Sequence, residues 1–107
     1  MPNRWNEESD VVIVGSGFAG LSAAIEAKNT GNSVVILEKM KGYGGNSTIS
    51  DGVIAACGTR MQKSKGIQDS TGLMIADMVS AGMGLNHPAL IQTLAEKGAD
   101  AFHWTMD

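Results

Sequence analysis

A second cysteine is missing from this chain, and so is any long apolar run. Cys57 is the single cysteine in 107 residues, so no internal disulfide can form, and a free thiol suits a reducing compartment. No stretch approaches the roughly 18 consecutive apolar residues of a membrane span. Residues 1–9, MPNRWNEES, are polar and acidic and lack the apolar segment of a secretory signal. Together these absences imply a cytoplasmic protein without a membrane partner. Basic charge is also short: the net charge is −3 and the pI about 5.2, which gives no electrostatic footprint for nucleic acid. His87 and His103 have no companion cysteine or carboxylate cluster at metal-ligand spacing, so no metal site is expected. Internal repeats and low-complexity tracts are absent as well.

What the chain does have is 43% apolar residues, 18% charged residues and fourteen glycines, a composition within the range of one small globular domain. Its organising stretch is Asp10 to Glu38, DVVIVGSGFAGLSAAIEAKNTGNSVVILE. Val11 to Val14 is a continuous apolar run, which suits a parallel strand covered on both faces. Helical spacing takes over at Phe18, Leu21, Ser22 and Ile25, and Gly31-Asn32 supplies a stop before a second strand, Ser33 to Leu37.

Between strand and helix lie Gly15, Gly17 and Gly20, in the order G-S-G-F-A-G. The first glycine permits a tight turn, the second lets backbone approach a pyrophosphate, and the third lets the helix sit close on the sheet. Unpaired N–H groups at the start of that helix, and its dipole, then face the phosphates. Glu38 follows Gly15 by about 20 residues, the spacing at which an acidic side chain meets an adenosine ribose. A carboxylate can accept hydrogen bonds from both ribose hydroxyls and repels a 2′-phosphate. The strands, glycines, helix and acid in register point to a dinucleotide site.

Beyond Glu38, Lys39 to Gly45 (KMKGYGG) is a glycine-rich loop on the carboxyl side of the sheet, where ligands of open α/β sheets bind. Asn46-Ser47-Thr48 adds short side chains able to hydrogen-bond a ligand there. Ser50 to Gly58 reads as a small strand or a turn, and Thr59 to Gln68 as a solvated loop in which Lys65 is a surface charge. Ser70 or Thr71 can cap a helix running to about Ala81. Gly82-Met83-Gly84 breaks it, and Asn86 or His87 caps the next, with Pro88 at its first position. That helix is expected to end near Gly98, with a short one following from Ala99 to Thr105. Trp5 is expected to be either exposed or packed on the sheet edge, and the seven methionines to serve as adaptable packing.

From Asp10 to about Trp104, through the glycine fingerprint, Glu38-Lys39, the G-G-N-S of residues 44–47 and the LNHPALIQTLAEKGADAFHW segment, the chain resembles a known family. It is similar to the FAD-binding start of the fumarate reductase and succinate dehydrogenase flavoprotein superfamily. The likeness is nearest to the soluble branch of flavocytochrome c-type fumarate reductases, urocanate reductases and 3-ketosteroid dehydrogenases. The resemblance implies a Rossmann-like α/β FAD-binding fold: a βαβ unit, then a flavin loop and helices, with the sheet incomplete. It implies that Gly15, Ser16, Gly17, Ala19 and Gly20 cradle the FAD pyrophosphate, that Glu38 holds the ribose, and that Lys39 flanks the adenosine. It places Gly45, Asn46 and Ser47 against the pyrophosphate and ribityl region and Gly52 near the isoalloxazine. The chain departs from the family pattern at Asp51 and at Val53, where a small residue and a second glycine are common.

A sheet of this kind takes roughly five or six strands, and only two are evident here. Residues 1–107 are therefore expected to be the N-terminal part of an FAD-binding domain. The rest of that domain and a capping domain, which in the family bind the small-molecule substrate and supply the catalytic proton donor, would lie outside it. A completing chain or an electron-donor domain is the expected partner. The activity implied is hydride transfer between flavin and an activated C=C or C–C bond, in the fumarate reductase direction or, as in ketosteroid dehydrogenases, in reverse. Two alternatives stay open: a nucleotide-binding module or remnant without catalysis, and an NAD-dependent dehydrogenase, which leaves Gly44-Gly45-Asn46-Ser47 without a purpose.

Overall fold

A computed structural model describes residues 5–107, so the first four residues of the expected N-terminal leader lie outside the described residues. The chain forms two compact units, one ending at Gly52 and the other beginning at Val53.

The first unit is the βαβ element. Strand β1 (Val11–Val14) leads through the glycine turn into helix α1 (Phe18–Asn29), and strand β2 (Val34–Leu37) returns parallel to β1. The register pairs Val11 with Val34 and Val14 with Leu37. Asp10 and Ser33 tie the near ends of the strands together: Asp10 N–H donates to Ser33 Oγ at 2.9 Å, while Ser33 N–H and Oγ donate to Asp10 Oδ2. Ser33 thus serves as a tie just outside β2, which begins one residue later than its polarity pattern suggested. Helix α1 stops where expected, with Gly31 at φ +90° and the Asn32 N–H donating to Ala27 O.

Burial along β1 alternates instead of being continuous. Val12 and Val14 are 56% and 84% exposed, whereas Val11 and Ile13 are half-buried. A strand apolar on both faces, with one face left open, is what a two-stranded piece of a larger parallel sheet looks like. Of the two settings expected for Trp5, the structure has the exposed one, at 63%.

The second unit is helical. Residues 53–58 form no strand. A short helix α2 (Arg60–Ser64) replaces the solvated loop expected there, because Thr59 and Gln62 form a reciprocal capping box. Thr59 is buried, and its side chain accepts from the Gln62 N–H while Gln62 Oε1 accepts from the Thr59 N–H. Helix α3 (Thr71–Ala81) is capped by Ser70, whose Oγ accepts from the Leu73 N–H at 3.1 Å.

Helix α4 (Pro88–Met106) has His87 at its N-cap and Pro88 in its first turn, and it is one helix, not two. Gly98 does not end it. That residue is buried against residues 55 and 56, where a Cβ would already stand 3.4 Å from Ala55 O, so its small size serves packing and not termination. Ile91, Ala95 and Gly98 form the buried stripe of α4, and Cys57 is buried beside it with Sγ 3.5 Å from Ala95 O. Among the described residues no helix is long and apolar enough to cross a membrane.

Candidate functional site

The functional geometry is concentrated in the first unit, at the carboxyl ends of its two strands. Gly15 turns the chain out of β1 with φ +97°. Its N–H donates to Leu37 O at 2.8 Å, so the turn begins directly on the sheet. Gly20 allows α1 to close over that turn: a Cβ there would lie 2.0 Å from Gly15 O and 3.4 Å from Ile13 Cγ2.

Helix α1 has no side-chain cap of its own, because its N-cap is Gly17. The Phe18 N–H donates instead to Ser47 Oγ, 29 residues away, at 3.0 Å. The Leu21 N–H is the first to bond back, to Gly17 O. Helix geometry therefore leaves the Ala19 and Gly20 N–H groups without intrahelical partners, at the positive end of the dipole.

Ser16 and Glu38 lock this turn to the end of β2. Glu38 Oε2 accepts from the Ser16 N–H at 3.0 Å and from Ser16 Oγ at 2.5 Å, and Oε1 accepts from the Met40 N–H at 2.9 Å. The Ser16 hydroxyl in turn accepts from the Gly44 N–H at 2.8 Å. These bonds stabilise the ionised carboxylate. The Ser16 hydroxyl, the Met40 N–H and the Ser16 N–H, in that order of effect, hold its pKa down to about 2 from an ordinary 4.5. A carboxylate has about four acceptor positions. Oε2 accepts two of these bonds and Oε1 one.

An open cavity of about 820 Å³ lies over these groups, and Gly15, Ser16, Gly17, Glu38, Lys39, Gly45 and Asn46 all line it. Residues 10–107 match the family model of the FAD binding domain. The chain belongs to that family. Its cofactor is FAD.

Relatives of this FAD-binding domain are reductases and dehydrogenases. It is 48% identical over 105 residues to an acrylate reductase flavoprotein subunit of Shewanella woodyi, an alignment covering 97% of this chain and 21% of that one. Among solved structures it superposes on the open conformation of a flavocytochrome c3 fumarate reductase with a TM-score of 0.79 at 37% identity, covering 92% of this chain and 18% of the other. It also superposes on the 3-ketosteroid-delta4-(5alpha)-dehydrogenase of Rhodococcus jostii RHA1 with a TM-score of 0.82 at 34% identity, covering 98% of this chain and 22% of the other. The chain thus spans about a fifth of the length of these relatives. The expected fold, an incomplete Rossmann-like sheet, agrees with both.

The FAD-binding domain offers a direct test of fit at Gly17. Its φ is −69°, open to any residue, and an added Cβ would meet nothing nearer than Ser47 Oγ at 3.6 Å. The protein itself has no steric need for glycine here. A phosphate resting on the backbone does need it, which is the fit expected of a pyrophosphate cradle.

Other expected contacts are placed differently. Ala19 and Gly20 lie in the first turn of α1 and do not line the cavity, and Ser47, whose Oγ accepts from the Phe18 N–H, does not line it either. Gly52, at φ +72°, lies outside the cavity lining. Met40 and Tyr43 of the glycine-rich loop and Thr48 of the short polar run also line it. Gly44, the first residue of the G-G-N-S run, is buried at φ +97°, and a Cβ there would strike Thr48 Cγ2 at 2.3 Å. The G-Y-G-G run was the available signal, since clustered glycines mark positions where backbone must pack closely.

Proposed function

We propose that this chain is the FAD-binding portion of an oxidoreductase that exchanges hydride between flavin and an activated carbon–carbon bond, working as a reductase of the fumarate reductase type. The relaxed backbone of Gly17 carries the reading, because glycine there leaves the backbone open to a ligand although the protein's own packing does not require it.

In this reading the backbone of Gly15 and Gly17 and the N–H groups of Ala19 and Gly20 hold the pyrophosphate without a basic side chain. Glu38 accepts from an adenosine ribose hydroxyl, and its negative charge disfavours a 2′-phosphate. Lys39 flanks the adenosine, while Gly45, Asn46 and Ser47 approach the pyrophosphate and ribityl chain. Ser47 has accepted the Phe18 N–H, which leaves its own O–H to donate. Gly52 would lie toward the flavin ring. Bound FAD supplies the redox chemistry, exchanging hydride with a carbon next to an activating carbonyl or carboxylate. This chain contributes binding and orientation. The substrate site and the proton donor are assigned to sequence outside these residues, together with any completing chain or electron-donor domain. A cytoplasmic setting is part of the proposal, supported by the single, buried, unpaired Cys57.

The test is anaerobic reoxidation of the photoreduced full-length flavoprotein by acrylate, fumarate, urocanate and a 3-ketosteroid enone. Rapid return of the oxidised flavin spectrum with one of the unsaturated carboxylates is expected. Oxidation by the ketosteroid alone would move the assignment to the dehydrogenase branch, and reoxidation by none of them would overturn the reductase reading.

A further inference from the structure

Ser16 has a job that neither a turn nor a phosphate contact explains. It is 3% exposed, and its hydroxyl meets two segments distant in sequence: it donates to Glu38 Oε2 at 2.5 Å and accepts from the Gly44 N–H at 2.8 Å. Its own N–H donates to the same carboxylate oxygen at 3.0 Å. Both Ser16 donors are therefore spent on Glu38, and neither is left for a phosphate. Glu38 is held through two bonds to Oε2, while Oε1 accepts from the Met40 N–H.

We propose that Ser16 is a positioning residue for the adenosine end of FAD, which acts by fixing the Glu38 carboxylate and by tying it to the Gly44 turn. The proposal rests on the ribose role given to Glu38 above. Without the hydroxyl, Glu38 loses its shortest bond and the rotational restraint it provides, and the Gly44 N–H loses its acceptor. The carboxylate then samples rotamers in which it does not meet the ribose, and the binding energy of the ribose contact is diluted.

The experiment uses the full-length protein, stripped of cofactor and titrated by flavin fluorescence with two ligands: FAD, and an FAD analogue whose adenosine ribose lacks both hydroxyls. The ratio of the two affinities reads the ribose contact alone, because a general loosening of the fold weakens both ligands equally. Wild-type protein is expected to prefer FAD roughly tenfold or more, the scale of a hydrogen bond to a charged group. Glu38→Ala should bring the ratio close to one. Ser16→Ala should reduce it at least about threefold with Glu38 intact, and Ser16→Cys, which keeps the volume but is a poor donor, should behave the same way if the alanine variant proves insoluble.

Ser16 variants that bind both ligands more weakly at an unchanged ratio, or that bind as wild type does, would overturn the positioning role while leaving Glu38 at the ribose. A wild-type ratio near one would instead remove the ribose contact itself, and this inference with it.

Discussion

The hydroxyl of Ser16 stands 2.5 Å from Oε2 of Glu38, closing a gap of 22 residues between the glycine turn after β1 and the end of β2. The turn proposed to hold the phosphates and the acid proposed to hold the ribose are consequently one hydrogen-bonded assembly. Perturbing either residue should be felt at both ends of the adenosine diphosphate moiety.

Glu38→Ala should weaken FAD binding roughly ten- to a hundredfold, the scale of a lost hydrogen bond to a charged group. Turnover at saturating FAD should change little, since the contact is at the adenosine end. Titration of stripped full-length protein checks the first point and initial rates the second. An unchanged affinity would place the ribose contact elsewhere.

Acid should destabilise the FAD-free protein over a defined window. The Glu38 carboxyl is held at about 2 in the folded state, against 4.5 ordinarily, so folding favours its ionised form. Its contribution is fully present above pH 4.5 and is lost as the pH falls toward 2. Asp10 acts in the same direction, its carboxyl kept below the usual range by the Ser33 hydroxyl and then the Ser33 N–H. Urea midpoints at a series of pH values should fall across this window, and less steeply in Glu38→Gln. Equal slopes for the two proteins would deny Glu38 its part in acid sensitivity.

Gly17 and Gly20 should fail in opposite ways. Gly17→Val places its side chain in the phosphate cradle while its backbone, at φ −69°, stays relaxed, so cofactor retention should vanish with little change in apo-protein unfolding. Gly20→Ala drives a methyl to 2.0 Å from Gly15 O and should destabilise the apo-protein by about 1–3 kcal/mol, the usual cost of overpacking. Thermal unfolding and FAD affinity measured on both variants separate the effects. Normal FAD binding by Gly17→Val would refute the phosphate contact.

Thr59→Ala removes one half of the capping box that begins α2 and should cost about 1 kcal/mol. Urea unfolding of the full-length apo-protein measures it. FAD affinity should be unchanged, as Thr59 lies outside the cavity lining.

Released cofactor should be FAD and not FMN, because a pyrophosphate cradle joined to a ribose acid serves only a dinucleotide. Acid extraction and chromatography decide this, and recovery of FMN alone would contradict the placement of Glu38.

By itself the sequence determined the βαβ unit, because its signals are local. Apolar runs, glycines at fixed offsets and a terminal acid act within one turn or strand, and the elements follow from backbone sterics and helix periodicity. It also narrowed the α3 cap to Ser70 or Thr71 and put Pro88 in the first turn of α4. Only tertiary structure decided that Gly98 is a packing residue inside one continuous helix, because the reason is the backbone of residues 55 and 56, more than 40 positions away. The same holds for Ser47, which caps a helix 29 residues earlier, and for Ser16, whose hydroxyl holds Glu38 and the Gly44 turn. A hydroxyl carries no periodicity and no propensity strong enough to reveal its partner. Its role exists only once the fold has brought donor and acceptor within hydrogen-bond reach.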